Sequence, residues 1–437
     1  MKIAIVGSGI AGLAAAHRLQ GEAQITLFEA GDHFGGHAHT VDVTLPTPHG
    51  EATHGVDTGF LVFNERTYPR LIALLAELGV ASTPTDMSFS VQVPGAGPAA
   101  SPLEWSGTNL ATVFAQRANL LRPRFWGMLA DLLHFNRLAT SLARQGHSAA
   151  LMRPLEDFLR DHDFGAAFRD WYLLPMLGCI WSCPTEQMLR FPVGTLIHFC
   201  HNHGLLQITD RPQWHTVTGG SRNYVQRIVA HIPDRRLRTP VRRIERDNAG
   251  VRVVTDRGAE RFDQVVLATH TDQALAMLAE PTAEERAVLG AIRYQANRAV
   301  LHTDASVMPA RRTAWAAWNY ERDAAPEGKS ARVCLHYWIN KLQPLPFTQP
   351  VIVSLNPVRE IAPQHVLGDY EYHHPVFDVA AIRAQAEVAR LQGRQRTWFC
   401  GAWTGYGFHE DGLRSGLAVA DALRAEQQQM RPWAEAA

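Results

Sequence analysis

Lys2-Ile3-Ala4-Ile5-Val6-Gly7-Ser8-Gly9-Ile10-Ala11-Gly12 is the stretch that decides the fold. An apolar, β-branched run breaks into a glycine-rich turn and continues as a helical pattern. Gly7 admits the tight turn, Gly9 lets the backbone approach a pyrophosphate, and Gly12 lets the helix pack closely. Together with Ser8, Ile10 and Ala11 they bring free N–H groups and the positive end of a helix dipole to a diphosphate. A second strand, 24–28, runs into Glu29-Ala30, about twenty residues past the loop, where a carboxylate takes a ribose hydroxyl. Strand, turn, helix, strand and acid in that order predict a dinucleotide-binding α/β domain.

The remaining composition bounds the partners. A chain of 437 residues, 46% hydrophobic, can bury more than one core, so at least two domains are expected. Lys+Arg and Asp+Glu balance at 42 each, which gives no electrostatic footprint for nucleic acid. Lysine occurs only at positions 2, 329 and 341. Five cysteines without framework spacing read as free thiols in a reducing compartment. The apolar N-terminus is accounted for by the nucleotide strand rather than a signal peptide, and no apolar run reaches membrane-spanning length. The expected location is cytoplasmic, or peripheral at the inner face of a membrane.

Four further segments extend the nucleotide path. Gly35-Gly36-His37 is a second glycine pair, which a nicotinamide site has no need of. In flavoproteins of the glutathione-reductase type such a loop passes under the ribityl-diphosphate of FAD. Asp57-Thr58-Gly59-Phe60 is a small-residue loop suited to border a flavin ring. Segments 242–245, 250–255 and 262–269 read as strands, with Val241 and Ala268 as expected cofactor contacts. Near the C-terminus, strand 397–399 leads to Gly401 and then to His409-Glu410-Asp411-Gly412-Leu413, the start of a helix placed at 413–423. Its N-terminus would face the flavin pyrimidine, where reduction places negative charge.

These segments, in this order, resemble the flavin-containing amine oxidase and carotenoid desaturase superfamily over nearly the whole chain. Within it the match is similar to bacterial FAD-binding oxidoreductases encoded beside cyclopropane-fatty-acid-synthase-like methyltransferases. That resemblance rests on Gly35-Gly36-His37, Asp57-Thr58-Gly59-Phe60, Asn202-His203-Gly204-Leu205-Leu206, Val217-Thr218-Gly219-Gly220-Ser221 and Gly407-Phe408-His409-Glu410-Asp411-Gly412. It implies a Rossmann-like FAD domain of the glutathione-reductase type with a second, mixed α+β substrate domain. The implied partition is FAD domain 1–82, 216–291 and 393–437, and substrate domain 83–215, helical, and 292–392. It also implies noncovalent FAD, a fatty acyl lipid substrate, a desaturation, and a methyltransferase as partner. Two alternatives stay open: oxidation of a small amine, and a flavin-holding accessory subunit of a lipid-modifying methyltransferase complex. The electron acceptor, oxygen or a quinone, also stays open.

Departures from the superfamily bear on that choice. His37 stands where amine oxidases carry Arg. The stretch 298–302, where they place a lysine near the flavin, has none, and Lys341 is expected in a loop. Cys400 is poorly placed for a thioether to FAD.

The candidate catalytic residues are His203, His409 and Glu410, with Asn202 beside His203 facing substrate; His39 and His302 are the reserves. Asp411 can cap its helix instead of touching cofactor. His198, Cys200, His201 and His203 invite a metal reading, but their spacing fits no standard zinc site, so none is expected. Cys179 and Cys183 read as packed thiols. Tyr372-His373-His374-Pro375 and Tyr337-Trp338 offer aromatic pocket walls. Phe125, Met128, Leu129, Leu132 and Leu133 form one helix face, fringed by Arg117, Arg122, Arg124, Trp126 and Arg137, a composition suited to a lipid surface.

Overall fold

The computed structural model describes residues 1–146, 151–181, 185–207, 210–323 and 333–434, with side chains as far as 428. Cys183 and Lys329 lie outside the described residues, so the expected Cys179–Cys183 packing does too. The opening run forms the strand Lys2–Val6 at the centre of a five-stranded parallel sheet. The order is Asp234–Arg236, Gln24–Phe28, Lys2–Val6, Gln264–Leu267, Thr397–Phe399. Both faces of such a sheet are covered, which is why the central strands Lys2–Val6 and Gln264–Leu267 read as near-continuous apolar runs rather than alternating ones, whereas the edge strand Asp234–Arg236 is charged. Helices Ile10–Arg18, Arg222–Ala230 and His409–Ala434 pack on one face. The antiparallel meander Val241–Asp247, Gly250–Thr255, Gly258–Phe262 covers the other, with Val253 and Phe262 against Phe28 and Phe399.

Helix contacts are close. A Cβ on Gly12 would fall 2.0 Å from the Gly7 carbonyl oxygen, and one on Gly416 would fall 2.1 Å from that of Ala11. The first and last helices therefore touch backbone to backbone.

A second, seven-stranded sheet builds the other half. Its order is Val366–Val376, Arg293–His302, Ile352–Leu355, Val333–Trp338, Trp318–Arg322, Phe89–Val93, Leu103–Ser106. All neighbours are antiparallel except Trp318–Arg322 and Phe89–Val93, which run parallel. Helices Pro123–Gln145, Leu174–Trp181 and Val193–Asn202 pack over it in the largest core.

Several expectations need correction. Stretch 83–215 is not wholly helical: Phe89–Val93 and Leu103–Ser106 extend the large sheet, and Trp214–Val217 pairs with Phe63–Asn64 and Ser82–Thr85. Both runs do alternate apolar and polar residues, Phe89-Ser90-Val91-Gln92-Val93 and Leu103-Glu104-Trp105-Ser106, but over only five and four positions, a short signal beside the long helical pattern that follows. The C-terminal helix begins at His409, one turn before the expected start. On Pro123–Gln145, Phe125 and Met128 are fully buried but Leu133 is 45% exposed. Lys341 lies in the short helix Ile339–Leu342, where its Nζ sits 2.9 Å from Asp86 Oδ2. No helix among the described residues is long and apolar enough to cross a membrane.

Candidate active site

One cavity of 1550 Å³ runs from the glycine turns at the end of the parallel sheet to the helices over the seven-stranded sheet. Pockets that hold a single small ligand are usually about 300 to 1,000 Å³, so this one has room for a dinucleotide and a second molecule.

At the sheet end, Gly7 adopts φ +99°, and a Cβ there would fall 2.7 Å from the Ala268 carbonyl oxygen. Gly36, at φ +58°, lies against Gly9, its would-be Cβ 3.2 Å from Gly9 Cα. A Cβ on Gly9 would meet nothing within 4 Å; it would project into open space in the cradle. Helix Ile10–Arg18 begins at Gly9 with no side chain capping its N–H groups. Glu29 ends strand Gln24–Phe28. Its Oε2 accepts from Ser8 N at 3.0 Å and Ser8 Oγ at 2.5 Å, and its Oε1 accepts from Gly31 N at 2.8 Å. An uncapped helix end, a glycine facing open space and a carboxylate at the strand end together fit the diphosphate and ribose of an adenine dinucleotide.

Gly7, Ser8, Gly9, Ile10, Ala11, Glu29, Ala30, Gly35, Gly36 and His37 all border the cavity, as do Gly59, Phe60, Val241, Ala268 and Gly401. Gly12, Thr58, Asp411, Gly412 and Leu413 do not. Gly12 is spent on the close approach to Gly7. Thr58 Oγ1 pairs with the Tyr372 hydroxyl at 2.6 Å, behind the wall. Asp411 Oδ2 accepts from Tyr406 N at 2.9 Å and Phe408 N at 3.2 Å, so it ties down the loop before its own helix. Gly412 packs on Ile10, and the Leu413 side chain is fully buried in the core.

In the middle of the cavity, the His409 ring stacks on Phe60 with centroids 3.8 Å apart, and its Nε2 lies 2.6 Å from the Tyr224 hydroxyl. Burial pushes the His409 pKa down to about 3, so the ring is neutral at physiological pH. His37 is half-buried, with its Nε2 buried and lacking a partner, and its ring faces Tyr372 at 5.0 Å and His374 at 5.5 Å. Burial, then the neighbouring His374, hold His37 neutral as well.

Glu410 departs from expectation. It does not border the cavity. Its carboxylate turns to the start of helix Pro69–Glu77, accepting from Arg70 N through Oε1 and Leu71 N through Oε2, both at 3.0 Å. That helix has no side-chain cap of its own, so Glu410 caps it from a distant element.

Beyond Phe60 the cavity becomes an apolar chamber walled by Trp105, Leu129, Leu132, Met176, Phe199 and Phe408. His203 lies on its wall, stacked on Phe199 at 3.9 Å, with Nδ1 3.0 Å from the Phe199 carbonyl. Burial pushes its pKa down to about 4. Asn202 is exposed and does not share this position. Neither reserve histidine borders the cavity. His39 packs on His33 and bonds Tyr372, and His302 Nε2 lies 2.6 Å from Ser354 Oγ inside the large sheet. Tyr372, His373, His374 and Tyr337 border the cavity as expected, whereas Trp338 packs on Trp315 elsewhere.

His198, Cys200, His201 and His203 do not converge. Among the described residues, the side chains grouped closely enough to hold a metal are Glu321, Cys334 and His336, with ligand atoms within 4.8 Å. Glu321 there pairs with Arg359 at 2.9 Å, and His336 bonds both Glu321 and Ser354. Cys400 is fully buried in the core, off the cavity, with its thiol pushed up to about 12 by burial.

The sequence reading missed His270 and Tyr294, which stack at 4.2 Å on the cavity wall, and Trp403. His270 stands three residues past the end of strand Gln264–Leu267. The carboxyl ends of parallel strands are where ligands sit, so that position was a usable signal.

Residues 10–424 match the family described as flavin containing amine oxidoreductase. A relative in Mycobacterium tuberculosis, named "Putative flavin-containing monoamine oxidase AofH", is 26% identical over 290 residues, 64% of this chain and 59% of that protein's length. The fold is similar to a "CLA-producing fatty acid isomerase from P. acnes": TM-score 0.66 at 16% identity, covering 96% of this chain and 98% of that one. It is equally similar to the cyclohexylamine oxidase of Brevibacterium oxydans: TM-score 0.67 at 16% identity, covering 98% and 99%.

Proposed function

We propose that this chain, which belongs to the flavin-containing amine oxidoreductase family, desaturates a long acyl chain. FAD is its cofactor and, when bound, supplies the acceptor for the hydride that leaves carbon. The cradle residues named above, led by Glu29, Gly9 and Gly36, would hold it. The observation that carries the proposal is the apolar chamber that continues from the cradle past Phe60. Its walls are aromatic and aliphatic, a lining that suits a long hydrocarbon chain.

The chain's own contribution is orientation, exclusion of water and acceptance of a proton. Phe60 and His409 form a rigid stacked wall, with the His409 ring held by Tyr224. At His203, Nδ1–H donates to the Phe199 carbonyl, which leaves Nε2 as the base atom. With Glu410 turned away and His409 engaged by Tyr224, His203 is the group we assign to accept the proton from the carbon next to the one losing hydride. Likeness to the fatty acid isomerase supports an acyl substrate, and likeness to the cyclohexylamine oxidase supports the rival reading, oxidation of an amine.

Anaerobic mixing decides between them. Phospholipid carrying unsaturated or methyl-branched chains is expected to bleach the flavin, and the product acyl chain should be lighter by about two mass units, one H₂. Bleaching by cyclohexylamine or putrescine but not by lipid overturns the proposal. Bleaching by lipid only after a methyltransferase partner is added replaces it with the accessory-subunit reading.

A further inference from the structure

We infer that the segment 107–137 is a docking surface for an anionic phospholipid bilayer, set around the mouth of the apolar chamber. Five large apolar side chains stand in solvent within it: Leu110 (78% exposed), Leu121 (87%), Leu120, Trp126 and Leu133. Scattered exposed leucines carry no meaning, but a contiguous group does. Here Leu110, Trp126 and Leu133 are exposed and border the cavity at once, so the surface patch and the chamber are one continuous apolar path.

The patch is held in place rather than loose. Trp126 Nε1 donates to the Leu120 carbonyl at 2.9 Å, and its ring packs against Phe114 at 5.3 Å. Asn109 and Thr112 form a reciprocal cap that fixes the turn presenting Leu110.

Charge selects the occupant. Arg117, Arg124 and Arg137 are exposed around the apolar group, and among the described residues no carboxylate pairs with any of them. Arg137 follows Leu133 by one helical turn, with Nε on the Leu133 carbonyl at 3.3 Å, and Arg124 lies over Trp171 at 4.5 Å. Aliphatic and indole groups flanked by guanidinium groups match the boundary between acyl chains and anionic headgroups. An aqueous amine would gain nothing from such an entrance. An acyl chain would reach the chamber without crossing water. The inference deepens the acyl reading but rests on the surface itself.

The test is sedimentation of the FAD-loaded protein with phosphatidylcholine vesicles, with and without phosphatidylglycerol. The protein is expected to pellet with the anionic vesicles, less so at high salt, and weakly with pure phosphatidylcholine. Leu110→Asp with Leu121→Asp should lower vesicle affinity by about tenfold or more. Both positions are solvent-exposed, so an unchanged flavin spectrum would confirm intact folding. Arg117→Glu with Arg137→Glu should abolish the preference for phosphatidylglycerol. Failure of the wild type to pellet, or pelleting of the leucine variant like wild type, overturns the inference. So does a dimer in light scattering that the leucine variant dissolves, since the patch then covers a second copy. Vesicle binding without flavin reduction by lipid leaves docking in place and removes the acyl reading. Reduction by detergent-dispersed lipid without vesicle binding does the reverse.

Discussion

Replacing Glu410 separates a structural role from a catalytic one. Helix Pro69–Glu77 starts with Pro69, which has no N–H, so Arg70 and Leu71 supply the next two donors of its first turn. Glu410 accepts from both at 3.0 Å. A lost N-cap costs about 0.5 to 2 kcal/mol, and a hydrogen bond to a charged group about 1.5 to 3. Burial of the carboxylate raises its pKa, so part of that gain is already offset by desolvation. The net loss expected for Glu410→Ala is about 2 kcal/mol, roughly a thirtyfold change in the folded-to-unfolded ratio. For a chain this long that corresponds to a melting point lower by roughly 2 to 4 °C. The assay is thermal unfolding followed by flavin fluorescence, run beside anaerobic stopped-flow reduction. Glu410→Gln, which keeps one acceptor oxygen, should lie between. Reduction rates should stay within about threefold of wild type, because a general base is worth about a hundredfold or more and this carboxylate does not face the cavity. An unchanged melting point together with a hundredfold slower reduction would refute the assignment.

Other perturbations test the cradle and the histidines. Glu29→Ala removes a carboxylate that also braces Ser8 and Gly31, and should weaken FAD binding by about ten- to a hundredfold in a fluorescence titration. Acid precipitation should release the flavin into the supernatant, because Cys400 is buried off the cavity; colour left in the pellet would contradict noncovalent binding. His203, His270, His374 and His409 have folded pKa values of about 4, 4, 4 and 3, below the unfolded value near 6.5. The unfolded chain therefore binds more protons in that window. Stability is fully present above about pH 6.5 and falls as pH drops toward 4, by up to about 1.4 kcal/mol per group per pH unit. Melting points at about pH 7.5 and about pH 5.5 check the sign, and a higher value at the acid end would contradict burial of neutral rings.

What was legible in the sequence was what depends on the backbone. The glycine turns, strand Gln24–Phe28 and the acid at position 29 follow from local chain geometry, and they stand where the pattern places them. Side-chain direction was not legible in the same way. Glu410 and His409 are neighbours at the start of one helix, yet one faces the cavity and the other a distant helix, because successive residues on a helix point about 100° apart. Asn202 and His203 part company for the same reason. The strands Phe89–Val93 and Leu103–Ser106 alternate over only four or five residues each, and what recruits them to the large sheet is Trp318–Arg322, more than two hundred residues away, on which Phe89–Val93 pairs while Leu103–Ser106 pairs back on Phe89–Val93. The apolar chamber is assembled from segments far apart in the chain, none of which signals a wall alone.

The parallel sheet is threaded from three distant parts of the chain, and that order governs how it can be made. Lys2–Val6 and Gln24–Phe28 are synthesised over two hundred residues before their neighbour Gln264–Leu267, and Thr397–Phe399 comes later still. The helix that lies backbone to backbone on Ile10–Arg18, His409–Ala434, is made about four hundred residues after it. A nascent chain must therefore carry an unpaired apolar edge and an uncovered helix until those distant segments are made, the condition in which chaperones are engaged and aggregation competes. Cofactor capture is expected after synthesis, as the step that closes the molecule, so flavin supply during expression should govern how much soluble protein accumulates.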